Sequence, residues 1–216
     1  MNQNRNLFGA LAFCAALSAP LASWAAVTVV STQAAFNALV GVSGVDTFDD
    51  LLAENIGPVT ANRMAGTFLY TAGATDGLYF FPGLLSTTTA VDSLVFSNFS
   101  AGVYGFAANF FAQDLAGVLG SGELTIMYNG NTIPLLNPLS ITPAGQFVGL
   151  VFDAPISGEI TVTSSNVFPF NVLGGTYLAV DNVMLASAVP ELGTFPLIVV
   201  GAGALVAASL RRRRVA

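Results

Sequence analysis

Gly102 to Phe111 reads GVYGFAANFF. Tyr104, Phe106, Ala108 and Phe110 fall at every second position, the period that lines one face of a β-strand, and their apolar character suits a strand facing a core. Other short alternating runs surround it: Leu94 to Phe99, Glu123 to Tyr128, Thr132 to Leu136, Phe147 to Phe152, Gly158 to Ser164 and Tyr177 to Leu185, each broken by Gly, Pro, Asn or Asp. Tyr128-Asn129-Gly130-Asn131 lies between two of them, and Asn-Gly suits a type I′ turn with positive φ at both central residues. A hairpin is therefore expected over Glu123 to Leu136.

Toward the N-terminal side, Val27 to Val30 reads as a strand and Ser31 to Leu39 as an N-capped helix of two or three turns. Phe36, Leu39 and Val40 share one face of that helix, and Gly41 stops it. No other helix is convincing before the C-terminal tail. Nine or ten strands with turn signals every 8 to 12 residues predict an all-β fold, an antiparallel β-sandwich of jelly-roll type occupying residues 26–188.

Composition limits the chemistry. The chain has 216 residues, is 54% hydrophobic and only 8% charged, with a net charge of −6. Of the six basic residues, only Arg63 lies in the body, so eleven of the twelve carboxylates face one cation there. Such a field repels phosphate backbones and argues against nucleic-acid binding. There is no His, and the single Cys, Cys14, falls in the expected leader. A mature domain lacking both has no Ser-His-Asp triad, thiol nucleophile or disulfide, and no imidazole or thiolate ligand for zinc. Oxygen ligands remain, and they suit calcium or magnesium. The expectation is a protein that is not an enzyme.

The two ends read as addresses. Arg5, the apolar run Leu7 to Leu17 and Ser23-Trp24-Ala25 form an export-signal pattern over residues 1–25. From Leu192 to Leu210 run 19 uncharged residues, about 28 Å as a helix at ~1.5 Å per residue, which just crosses a bilayer. Arg211, Arg212, Arg213 and Arg214 would hold that end in the cytoplasm. Hydropathy alone leaves open whether this is a permanent anchor or a temporary one.

Val189, Pro190 and Glu191, followed by the apolar run and the arginine cluster, resemble the PEP-CTERM sorting signal of exported proteins in exosortase-containing Gram-negative bacteria. Leu192 stands where that family's motif has a second proline. The resemblance covers about an eighth of the chain. It implies an inner-membrane precursor that an exosortase-type enzyme cuts near Pro190-Glu191 and releases to the cell surface or extracellular polysaccharide matrix.

Two acidic segments stand out in the body: Thr47-Phe48-Asp49-Asp50-Leu51, assigned to an early strand, and Asp181 within the apolar run YLAVDNVML. A carboxylate leaving water needs a partner. One arginine in the body argues against a salt bridge, leaving a bound cation or backbone N–H donors. The YLAVDNVML run resembles the closing strand of PEP-CTERM ectodomains and of jelly-roll carbohydrate-binding modules, and Phe48-Asp49-Asp50-Leu51 resembles the opening of those ectodomains. That resemblance implies a structural Ca2+ held by Asp181 with Asp49 or Asp50. The plainer alternative has Asp181 accepting local hydrogen bonds while Asp49 and Asp50 face water.

A calcium-assisted carbohydrate-binding module is the second functional expectation. The mature domain would contain no Trp, so Tyr70, Tyr79, Tyr104, Tyr128 and Tyr177 are the candidate sugar platforms. Asp153, Glu159 and Glu123 could supply a glycosidase pair only if two of them converged across a cleft. In the adjacent pairs Phe80-Phe81 and Phe110-Phe111, one ring must point away from the core. Gly117 to Gly122 lacks the Lys and helix of a phosphate loop and reads as a turn.

Overall fold

The computed structural model describes residues 26–51, 55–81, 83–136, 138–165 and 175–189. The expected export signal, the motif residues Pro190 and Glu191, the apolar run and Arg211 to Arg214 lie outside them. Strand β1 (Val27–Val30) leads into helix α1 (Gln33–Leu39). Thr32 is its N-cap, with the hydroxyl accepting from the Ala35 amide at 3.2 Å. The chain then forms β2 (Ser43–Asp46), β3 (Asn55–Ile56), β4 (Thr60–Ala65), β5 (Phe68–Gly73), β6 (Leu78–Phe81), β7 (Leu84–Thr87), β8 (Ser93–Ser97) and β9 (Gly105–Gln113). After these come β10 (Leu119–Gly120), β11 (Gly122–Tyr128), β12 (Asn131–Thr132), β13 (Leu139–Ile141), β14 (Gln146–Phe152), β15 (Ile160–Ser165) and β16 (Tyr177–Ala186).

These strands make two antiparallel sheets. The first runs β1-β14-β9-β16-β7-β6-β3, with β10 beside β9 and β2 beside β16; the second runs β12-β11-β15-β8-β5-β4, with β13 beside β11. Their inner faces form one core. Phe106, Ala108 and Phe110 of β9 point into it, as the alternation predicts, alongside Leu94, Phe96, Leu124, Ile126, Ile160 and Val162 from the opposing sheet. The Phe96 and Phe106 rings meet with centroids 5.0 Å apart. The architecture is an antiparallel β-sandwich with one short helix.

Between its inward positions GVYGFAANFF carries Ala107, which is buried because the first sheet is covered on its outer face. There α1 lays Phe36 and Val40 over Ala107, Met184 and Ala186. Phe36 fits because Gly105 and Gly149 lie beneath it: a Cβ at either would come within 2.9 or 2.8 Å of its ring. Leu39 departs from expectation. It is exposed while Phe36 and Val40 are buried: Leu39 is the last helical residue, and Val40 beyond it is extended backbone outside the helical spacing.

The hairpin turn forms as read: Asn129 and Gly130 have φ of 50° and 74°, and Tyr128 pairs with Asn131. Its second strand does not reach Leu136. It ends at Thr132, and Pro134–Leu136 is a 3₁₀ turn, because proline cannot donate a ladder hydrogen bond. Of the phenylalanine pairs, Phe80 packs partly against the core while Phe81 is exposed, and Phe110 is buried while Phe111 is half-buried. Gly117 and Val118 lie in a turn that Asp114 caps by accepting from the Ala116 and Val118 amides, each at 2.9 Å.

The closing strand β16 keeps β9 on one side for its whole length and changes partners on the other. Ala179 and Val180 pair with β7, whereas Val183 to Ala186 pair with β2. The change coincides with a bulge: three steps from Asp181 to Met184 match two steps from Asn109 to Ala107, and Asn182 has φ of 52°.

Candidate functional site

The bulge in β16 and the turn after β2 bring together the acidic residues expected from sequence. Asp46 ends β2; Asp49 and Asp50 lie in the turn beyond it, not on a strand as expected. The turn is tight. Phe48 buries its ring with φ of 56°, its amide donates to Asp46 Oδ1 at 3.2 Å, and its carbonyl accepts from the Leu51 amide at 3.0 Å. A left-handed Phe is strained, and that cost is offset by the buried ring and the closed turn.

The two sheets touch at this corner. A Cβ on Gly44 of β2 would stand 2.2 Å from the Ala65 carbonyl oxygen of β4, so only glycine allows the backbones this close. Arg63 of β4 reaches across the contact. Its Nε donates to Asp46 Oδ2 at 2.9 Å and its Nη2 to Asp46 Oδ1 at 2.6 Å, while Nη1 and Nη2 take the two oxygens of Asp50 at 2.9 and 2.6 Å. Tyr70, directly opposite Arg63 on β5, donates its hydroxyl to Asp46 Oδ2 at 2.7 Å, and the guanidinium lies 5.1 Å from the Phe48 ring centroid. The argument from one arginine against salt bridges is thus corrected: that arginine serves two carboxylates from two elements.

Electrostatics divide the cluster. Burial disfavours the Arg63 charge, but the hydrogen bonds it donates to Asp46 and Asp50, with the charges of those carboxylates, outweigh burial and raise its pKa above the ordinary value. Burial, then the Asp46 charge, pushes the Tyr70 hydroxyl well above its ordinary value. The hydrogen bond from Arg63 holds the Asp50 carboxyl below the usual range. Asp181 moves the other way: burial raises it, the Asn182 amide pulls it down, and the charges of Asp49 and Asp46 push it up again. Its Oδ1 accepts from Asn182 N at 2.5 Å and its Oδ2 from Asn182 Nδ2 at 2.6 Å.

The three residues expected to share a calcium ion are therefore neighbours with separate partners. Asp50 faces Arg63, Asp181 closes its own bulge, and Asp49 accepts from the Thr47 hydroxyl at 2.7 Å. Among the described residues, no three carboxylates converge as a metal ligand set. Both oxygens of Asp50 and of Asp181 are already engaged by protein donors.

A second place gathers polar groups. At the end of the sandwich where β8, β11 and β15 meet their loops, an open groove of about 710 Å3 is lined by Ser97, Asn98, Phe99, Asn129, Ser157 and Glu159, among others. Asn129 is tied to Glu159: its Oδ1 accepts from the Glu159 backbone amide and its own backbone amide donates to the Glu159 carbonyl, each at 3.0 Å. Asn98, Asn129, Ser157 and Glu159 are exposed around the half-buried Phe99 ring. The tyrosines named as sugar platforms are placed otherwise. Tyr70 is buried on Asp46, and Tyr79, Tyr104, Tyr128 and Tyr177 are half-buried.

The candidate hydrolase carboxylates do not converge. Glu123 is the second residue of β11 and Tyr128 its last, and Tyr128 pairs with Ile160 next to Glu159, so Glu123 and Glu159 are about 17 Å apart along the strand at ~3.4 Å per residue. Asp153 lines a different hollow, of about 360 Å3, with Leu39, Tyr104 and Val189. Val189, the first residue of the stretch expected from sequence to be a sorting motif, is exposed. No helix among the described residues is long and apolar enough to cross a membrane. Compared with known proteins, the chain matches no family model, and no curated protein matches it.

Proposed function

We propose that this chain is an exported, non-enzymatic β-sandwich that an exosortase-type system sorts to the cell surface or the extracellular polysaccharide matrix. The observation that carries the reading is the order of Val189-Pro190-Glu191, the apolar run and Arg211 to Arg214, set directly behind the last strand. The fold supports it in one respect. Strand β16 ends at Ala186, Ser187 is held by backbone bonds to Gly41 and Val42 at 2.9 Å each, and Ala188 and Val189 are exposed. A cut near Pro190 would leave every described strand intact. The separation of Glu123, Asp153 and Glu159 and the absence of His from the sequence support a non-enzymatic role.

The test is intact mass and cell fractionation of the protein expressed in a host with and without a functional exosortase. Loss of residues 1–25 and of the segment beyond about Glu191, the second loss dependent on the enzyme, is the expected result. An arginine-terminated chain held in the membranes of both strains would replace sorting with permanent anchoring.

The polar groove favours a second reading, a jelly-roll-like module that binds glycan. Exposed amide, hydroxyl and carboxylate groups around one aromatic ring suit sugar hydroxyls and a pyranose C–H face. Affinity electrophoresis against matrix polysaccharides, with and without chelator, separates the readings: retardation that Asn98→Ala abolishes supports the module. No retardation in any gel leaves the structural role, and the chelator lanes report on calcium.

A further inference from the structure

Four exposed apolar residues surround the point where the chain leaves the sandwich. Leu39 ends α1, Val42 and Val45 lie before and on β2, and Val189 is the last described residue; Val42 is 72% exposed. They are joined through the exit itself. Ser187 donates its amide to the Val42 carbonyl, Gly41 donates to the Ser187 carbonyl, and Leu39 and Val189 line the same hollow. Val45 pairs with Met184, whose side chain lies on the outer, helix-covered face of the first sheet, so Val45 stands on that face beside α1.

The spacing beyond Val189 fixes what this patch meets. Only Pro190 and Glu191 separate it from Leu192, where the apolar run begins. Three residue steps cover at most about 10 Å of extended chain. The headgroup layer on each side of a bilayer is itself about 5–8 Å thick, and the 19-residue run has no length to spare across the ~30 Å core. When the run spans, the exit end of the sandwich is held against the headgroups.

We propose that Leu39, Val42, Val45 and Val189 form a membrane-contact face that rests on the phospholipid surface on the exported side while the tail is inserted. This deepens the sorting proposal and rests on its reading of the tail as a membrane span. Asp153, exposed beside the same hollow, keeps the contact at headgroup depth. The opposite end of the sandwich supplies a control. β9 and β16 run from Gly105 beside Ala186 to Gln113 beside Tyr177, about 27 Å at ~3.4 Å per residue. At that far end Leu115, Val118 and Leu119 are also exposed, far in sequence from the apolar run that begins at Leu192. Exposed apolar side chains thus occur at both ends, and only one end is tethered.

The experiment uses the full chain carrying Cys14→Ser, inserted in phosphatidylethanolamine/phosphatidylglycerol vesicles, with an environment-sensitive fluorophore on Val42→Cys or on Val118→Cys. Ser43→Cys replaces the first site if that variant does not fold. Protease protection of the arginine end establishes first whether the tail spans; failure there overturns the tail reading and with it this proposal. With the tail inserted, nitroxide-labelled lipid should quench the Val42 site and spare the Val118 site. Equal quenching at both ends, or none at Val42, overturns the contact face. A blue shift at Val42 without lipid quenching also overturns it. In that case dependence on the protein-to-lipid ratio assigns the patch to a second copy, and independence assigns it to the chain's own tail.

Discussion

On one side of Asp46 the Asp50 carboxylate lies against the Arg63 guanidinium, and on the other Asp181 sits half-buried in the bulge of β16, within reach of the charges on Asp46 and Asp49. Both belong to one acidic corner, yet the first is held below the usual carboxylate range and the second above it. Burial is not what separates them alone, because Asp46 is more deeply buried than either and still has partners for both oxygens. The difference lies in burial, which does most to raise Asp181, and in the donors. Asp50 meets a full positive charge, whereas Asp181 meets an amide N–H and a side-chain amide and has carboxylates for neighbours. A single arginine, placed where two sheets touch, sets which side of the corner is neutralised.

Removing that arginine is the most direct way to break the comparison. Arg63→Met should cost about 3–5 kcal/mol, since it leaves the 4%-exposed Asp46 buried without its counter-charge. Urea unfolding measures the loss, and NMR titration of the same variant should show Asp50 rising toward the ordinary Asp value of 3.8. A loss under about 1 kcal/mol would mean that the cross-sheet pin contributes no more than a surface ion pair.

Gly44→Ala attacks the same corner through geometry. Its Cβ would press on the Ala65 carbonyl, a backbone atom that cannot rotate away, so the variant should lose about 1–3 kcal/mol by the same unfolding measurement. If Arg63 is what the close approach serves, the double variant Gly44→Ala/Arg63→Met should lose less than the two single losses added together. Full additivity would separate the backbone contact from the ion pair.

Asp50→Asn is a milder probe. Asp50 is 69% exposed, so solvent screens its pair with Arg63 and the expected loss is at most about 1 kcal/mol at neutral pH. Because its folded pKa lies below the unfolded one, the stabilisation is present above pH 3.8 and disappears as pH falls through the lower folded value. Wild type and variant should therefore converge in thermal stability once pH has fallen through that lowered value, and a gap that persists there would assign the effect to shape rather than charge.

The sandwich was legible because period-2 alternation survives in strands with one buried face, and GVYGFAANFF shows it most clearly. The same run hides the helix-covered outer face, because Ala107 is small enough to pass for a neutral spacer. The short strands β3, β6 and β7 and the β4–β5 hairpin carry too few alternations to stand out. At the acidic corner, sequence brings Asp49, Asp50 and Asp181 to notice as charges among apolar residues. It does not show that Arg63, 17 positions from Asp46, faces inward on β4, because that depends on β2, paired in the first sheet, approaching β4 of the second at Gly44. Counting one arginine against eleven carboxylates describes the average field and misses a guanidinium that satisfies two carboxylates at once.

Asp181→Asn sharpens the comparison with the smallest and oppositely signed effect. The Asp181 pKa is raised, chiefly by burial, so the charged form is disfavoured in the fold. A group of this kind contributes stability below its unfolded pKa and loses it as pH rises through the folded value. At pH 7 the wild type therefore carries an unrelieved repulsion with Asp49 and Asp46, and the amide removes it. Asn can keep the acceptor for the Asn182 backbone N–H while giving up the acceptor for Asn182 Nδ2, so the net gain is small. Since ~1 kcal/mol moves a domain of this size by about 2–4 °C, Tm should rise by about 1–2 °C at pH 7 and match wild type below about pH 4. A fall in Tm at pH 7 would show that the charge-assisted closure of the bulge outweighs the repulsion, making Asp181 a carboxylate that the fold uses in its ionised form, as it uses Asp50.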